Sequence, residues 1–363
     1  MRKAISAETE QRFESWWKHE KMDRPLVRLL GKKKTVEESK LIPVKELVQN
    51  AKDFQMNPEY RIAAFRNSLI THTYYLDSFR YVQINLGPGT MASYLKCEPG
   101  FSYDTIWYKE VETESVSDLL NVSYENSTHW WYDHLKAIEK TKKLANGDCY
   151  VCIPDIQENL DIVAAMRGSQ NLCFDLMDCP EDVKKVQKIV DDSFFKYYDA
   201  IYEVVKDEEG NSVYTAFSLW GRGKVAKLQC DFSALISKEL FDEFVLPALQ
   251  RQTDYLDRTM YHLDGVMALR HLDSVLSLKK LNALQWTPGA GQEDGGAEKW
   301  YPIYDKAMNA GKSLWIQIYD GDVDAWINKS KKILKRYGPT GIYFVYGNTD
   351  EESAKKLIKE LKF

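Results

Sequence analysis

Two hydrophobic periods alternate along the chain. Short apolar or alternating runs at residues 24–30, 81–86, 149–154, 213–219, 258–261, 281–286, 314–318 and 341–345 have the spacing of strands. Between them, apolar residues recur three and four apart, as at Ile62, Phe65 and Leu69, or Trp131, Leu135 and Ile138. Further helical stretches cover 180–205, 237–249, 323–337 and 351–361, and Ser6 reads as the N-cap of a helix through Trp16 and Trp17. Pro247, inside one of these stretches, predicts a kink unless it is accommodated. From about residue 148 the order is strand, helix, strand, helix, with no linker, repeat or low-complexity block. This predicts an α/β protein: one (β/α)8 TIM barrel domain over residues 1–363, in which 1–75 form an N-terminal helical extension. An open doubly wound sheet is the alternative, and no G-x-G-x-x-G follows the first good strand to favour it.

In a parallel α/β protein the chemistry collects where strands end. The stretch 258–273 is strand-like to Tyr261, breaks at Gly265 and resumes with helical spacing at Val266, Leu269 and Leu272. His262 and Asp264 flank that turn and, being two apart, point the same way in extended chain. Such a pair can bind a metal, share a proton or hydrogen-bond a substrate. A second polar group follows the 149–154 strand: Asp155, Gln157, Glu158, Asn159 and Asp161. Asp155 and Glu158 are catalytic candidates there, or else an N-cap and its capping-box partner. Asp231 ends another strand, and Gln285 and Gln317 sit on strands as candidate substrate contacts. Trp220, Trp286 and Tyr346 are candidates for a stacking surface. The Gly-rich segment 287–296, with Gln292, Glu293 and Asp294, reads as a lid or as a long connection.

Other motifs read as structural. Cys149 and Cys152, three apart in a strand, face opposite sides, and no second Cys pair exists to complete a metal site. His72, His129 and His134 read as helix-surface residues, and His271 as flanking the helix after the 258–264 turn.

Composition removes several function classes. The net charge is −5 and the basic runs are short, so nucleic acid is not an expected partner. No apolar run reaches the roughly 18 residues of a membrane helix, and the charged N-terminus lacks a signal-peptide core. Six unevenly spread cysteines do not form the framework of a small secreted domain. Reduced thiols and a cytoplasmic location are expected.

Three stretches carry a resemblance. Residues 153–168 with 174–181 resemble a strand and its following helices in the uroporphyrinogen decarboxylase superfamily, which also contains corrinoid-linked methyltransferases. Residues 236–247, Ile-Ser-Lys-Glu-Leu-Phe-Asp-Glu-Phe-Val-Leu-Pro, resemble that superfamily's serine-led helix ending in Leu-Pro. Tyr261-His-Leu-Asp-Gly265 stands where it usually has a strand ending in His-x-Cys-Gly. The resemblance covers roughly residues 148–363 and implies a (β/α)8 barrel with its site at the C-terminal strand ends. The decarboxylase branch uses an Arg-Gln-Ala-Gly-Arg loop, and the corresponding residues here read Arg24-Pro-Leu-Val-Arg28. The methyltransferase branch binds zinc through the His and Cys of His-x-Cys-Gly and a later Cys. Here His262 matches, Asp264 replaces the first Cys, and the region around Tyr346 has none. The resemblance implies a methyltransferase-related enzyme acting on a small methylated compound, with zinc at His262 and Asp264 and a corrinoid protein as partner. A metal-free decarboxylase, lyase or sugar-active hydrolase is the second reading. A non-catalytic ligand-binding barrel is the third.

Overall fold

The computed structural model describes residues 4–363. Its main sheet is mostly parallel. Val225–Gln229, Arg258–Asp264, Ala283–Thr287, Ser313–Ile318, Ile342–Tyr346 and Leu26–Lys32 pair in that order, every pair parallel. His72–Leu76 joins the far edge antiparallel, and Thr349–Asp350 adds a short parallel pair. The strands are rich in β-branched and aromatic residues, and Ile342–Tyr346 and Ala283–Thr287, which flank the central Ser313–Ile318, are buried almost throughout. A separate parallel pair, Tyr81–Val82 with Tyr150–Val151, continues through a bridge from Ile153 to Tyr214.

The expected continuous (β/α)8 ring is therefore only partly realised. The arrangement is barrel-like mixed α/β, but among the described residues the ladders do not close. Two seams are stitched by serine side chains where a main-chain ladder would run. Ser78 Oγ donates to Leu29 O at 3.0 Å and accepts from Leu29 N at 2.9 Å. Ser212 Oγ donates to Gly223 O at 2.6 Å and accepts from Val225 N at 3.3 Å. The second seam arises because Asn211–Tyr214 turns back on Leu219–Arg222 as an antiparallel hairpin.

The N-terminal segment differs from a purely helical extension, since Leu26–Lys32 and His72–Leu76 both lie in the main sheet. The helix Ala7–Trp17, capped by Ser6, covers one end of that sheet. Trp16 Nε1 donates to Leu314 O at 3.2 Å, and Ser313 Oγ donates to Trp16 O at 2.6 Å. Asn282 Nδ2 donates to Trp17 O at 3.1 Å. Ser313, Leu314 and Asn282 lie at strand starts, so this helix closes the N-terminal end and the opposite mouth is left for chemistry. Pro247 lies inside a continuous helical run, accommodated by a local change of helix type. The backbone stays helical through Lys238–Leu240, Phe241–Val245 and Leu246–Tyr255, and the π-helical turn Phe241–Val245 just before Pro247 accommodates its missing N–H.

Candidate active site

Strand register places the inward-facing side chains in two tiers. Gln229, His262, Gln285, Trp315, Tyr343 and Leu26 are successive cross-strand partners. Two residues further towards the mouth, Asp264 pairs with Thr287, and Gln317 pairs with Val345, which pairs with Arg28. Because alternate strand residues face opposite sides, Trp286 and Tyr346 face the surrounding helices. Trp286 packs against Trp300 with ring centroids 5.3 Å apart. Tyr346 stacks on Trp326, and its hydroxyl lies 2.7 Å from Ser330 Oγ. Trp220 is fully buried beside Phe13, and its Nε1 donates to Tyr150 OH at 3.2 Å. The expected stacking surface of Trp220, Trp286 and Tyr346 is thus corrected: these rings are core.

His262, Asp264 and Asp231 converge. Each offers one ligand atom, and the three atoms lie within 4.8 Å of one another. His262 Nε2 is 3.8 Å from Asp264 Oδ2. The other ring nitrogen, Nδ1, hydrogen-bonds Gln285 Oε1, while Gln285 Nε2 donates to Thr287 Oγ1 at 2.9 Å. Asp231 is held by Gln229 Nε2 at 2.8 Å, and its own N–H donates to Asp161 at 2.9 Å.

Behind this group lies a buried lysine. Lys227 Nζ is 2.8 Å from Asp155 Oδ1 and also donates to Gln229 Oε1. Tyr214 OH donates to the same Asp155 oxygen at 3.0 Å. Asp155 therefore faces the site as half of a buried ion pair and does not cap a helix. Glu158 is placed elsewhere. It is buried, accepts from Asn159 Nδ2 at 3.1 Å, and stands at the start of the Asn159–Arg167 helix without a side-chain cap bond.

Burial and neighbouring charge set the protonation states. Burial, reinforced by the Lys227 ammonium, holds His262 down to about 4, so its ring is neutral at pH 7. Burial raises Asp264. Partial desolvation of its carboxylate, with Asp161 next to it, raises Asp231, although the residue itself is exposed at the mouth. Burial and then Asp191 push Glu158 well above the usual carboxylate range.

Four features were not singled out from sequence. Lys227 looks like an ordinary strand residue, and only the inward phase of its strand reveals it. Gln229 shares that phase. Phe217 and Ser218 take φ of 66° and 53°, a left-handed conformation in two successive non-glycine residues. Trp315 Nε1 donates to Phe217 O at 2.9 Å, and Tyr343 OH donates to Ser218 O at 3.2 Å. These bonds hold the turn so that the Phe217 ring lies 5.0 Å from the His262 ring. Arg28, half-buried on the inner face, donates no hydrogen bond to a described residue. His134, expected on a helix surface, is buried between Tyr94 OH at 2.6 Å and Ile84 O at 3.1 Å.

Fold and site together define a barrel-like α/β protein with a polar, cation-competent cluster at the C-terminal mouth of a mostly parallel sheet. Among solved structures, the chain is similar in fold to a methyltransferase from Methanosarcina mazei, with a TM-score of 0.64 over 98% of each chain and 12% sequence identity. No protein-family model matches the sequence, and no curated protein matches it. Among the described residues no helix is long and apolar enough to cross a membrane.

Proposed function

We propose that the protein is a methyltransferase-related enzyme acting on a small methylated compound at the His262–Asp264 cluster, with a corrinoid-carrying protein as its partner. The observation that carries this reading is the convergence of His262 and Asp264 at the strand end where the sequence resembles a metal-binding His-x-Cys-Gly. The likeness in fold to a methyltransferase supports it. The residues fit a divalent cation. His262 is neutral, its Nε2 faces an oxygen of Asp264, and Gln285 fixes the ring from behind. A bound cation would act as a Lewis acid, polarising the group that gives or receives the methyl. The chain's own contribution is to orient the reacting groups. Phe217 covers the imidazole, Gln317 and Gln285 line the wall, and the Lys227–Asp155 pair fixes charge below the cluster. Purified protein is expected to hold a divalent cation that the His262→Ala variant lacks. A wild-type protein free of metal, and unchanged in thermal midpoint by added zinc, would contradict this.

A second reading needs no metal. Partial desolvation and Asp161 beside it raise Asp231 above the usual carboxylate range, as a proton donor requires. The Asp231 and Asp264 ligand oxygens lie within 4.8 Å, close to the roughly 5–5.5 Å carboxyl spacing of retaining glycosidases. Sugar hydrolysis lost in Asp231→Asn and insensitive to chelators would favour it.

A further inference from the structure

The structure assigns Asp231 as a third ligand to the His262–Asp264 site, so that two carboxylates and one imidazole hold a single divalent cation of oxygen and nitrogen preference. This deepens the proposed function and rests on its placement of a metal at His262.

Gln285 lies behind the imidazole, with its Nε2 2.9 Å from Thr287 Oγ1 and its carbonyl oxygen facing His262 Nδ1. An oxygen there requires Nδ1 to carry the hydrogen, so Nε2 presents a lone pair. That lone pair faces Asp264 Oδ2 at 3.8 Å, beyond hydrogen-bonding range. A carboxylate oxygen of Asp231 completes the triangle within 4.8 Å. Three acceptors therefore converge: an imidazole nitrogen whose side chain is only 11% exposed, an oxygen of the part-exposed Asp264 and one of the exposed Asp231 at the mouth. Converging acceptors repel, and a cation among them would relieve that repulsion.

Asp231 is aimed by the same device as His262. Lys227 occupies Gln229 Oε1, which leaves Gln229 Nε2 to hold Asp231 Oδ2 at 2.8 Å. Two glutamines, on the two strands that flank Arg258–Asp264, thus orient two ligands from behind. Lys227 is matched by Asp155 at 2.8 Å, and Asp161 is taken up by the backbone N–H groups of Asp231 and Phe232, which leaves the carboxylates of Asp231 and Asp264 facing the site. No thiol joins the group. Cys230, next to Asp231, is buried and outside the cluster. A donor set of two oxygens and one nitrogen suits Zn²⁺, Mn²⁺ or Fe²⁺ better than a soft, thiolate-seeking ion.

The test is titration calorimetry of the chelator-stripped full-length protein with Zn²⁺ and Mn²⁺, with the Mn²⁺ electron-spin spectrum as a second readout. Wild type, Asp231→Asn, Asp264→Asn and His262→Ala are compared, and circular dichroism checks each fold. One site is expected in the wild type, weakened at least about tenfold in Asp231→Asn, as for loss of a ligand or its support. If Asp231→Asn keeps wild-type affinity while His262→Ala loses it, Asp231 is not a ligand and the His262 reading survives. If folded wild type binds neither ion, both fall.

Discussion

At the scale of single residues, the site depends on glutamines as much as on its charged groups. Gln285 fixes which nitrogen of His262 carries the proton, and Gln229 fixes where Asp231 points. Replacing Gln285 by Leu keeps the volume and removes the acceptor, so the ring is free to turn or to change tautomer. The expected result is a loss of metal affinity of about 10- to 100-fold with little change in thermal midpoint. Calorimetry on folded Gln285→Leu decides it, and unchanged affinity would remove Gln285 from the account. His262, Asp264 and Asp231 could be read from the sequence because strand ends in an α/β pattern concentrate chemistry, and because two-residue spacing puts side chains on one face. Trp220, Trp286 and Tyr346 were misjudged for the same geometric reason. Their strand phase turns them to the core, and aromatic type alone does not reveal phase. Lys227 was missed because a lone lysine in a strand carries no signal until its buried partner, Asp155, is seen across 72 residues of chain.

At the scale of elements, small polar groups set the joints. Ser212 replaces a ladder at one seam of the sheet with two hydrogen bonds. Ser212→Ala should cost about 1–3 kcal/mol, read as a fall in the urea midpoint without a change in slope. An unchanged midpoint would mean the seam is held by packing alone. The Gly-rich segment expected as a lid or a connection is pinned at its end. Asp294 is fully buried and accepts from Tyr319 N and Asp320 N at 2.7 Å, from Gly296 N at 2.9 Å and from Lys329 Nζ at 2.9 Å. Asp294→Ala strands those donors. It should destabilise the protein by roughly 3–5 kcal/mol and open the 287–293 segment to limited proteolysis; protease resistance equal to wild type would contradict this. Most strands and long helices were legible from periodicity. The π-turn at Phe241–Val245 was not, because periodicity does not separate a single i→i+5 turn from the α-helix around it.

At the scale of the whole molecule, the N-terminal helix closes one end of the sheet and leaves buried acids near the other. The strand–helix order predicted the parallel sheet. It could not predict the seams, which depend on a local hairpin and on two serine side chains. Burial pushes Asp191 up to about 7. A carboxyl whose folded pKa is raised stabilises the fold most below its unfolded pKa, near 3.9, and that contribution is lost as pH rises through about 7. Wild type should therefore lose stability between about pH 4 and pH 7. Asp191→Asn, which keeps an oxygen to accept from Asn159 N, should flatten part of that fall and exceed wild type at pH 8. Urea unfolding across this range checks it, and parallel profiles for the two proteins would show that Asp191 does not titrate as described.

The central claim is that His262 and its two aspartate neighbours hold a functional cation, and metal content tests it most directly. Purified wild type and His262→Ala, both shown to be folded, are analysed for bound metal after equilibration with Zn²⁺ and removal of the excess. Close to one equivalent in the wild type and none in His262→Ala is the result expected. Equal content in the two proteins, whether full or empty, would contradict the account.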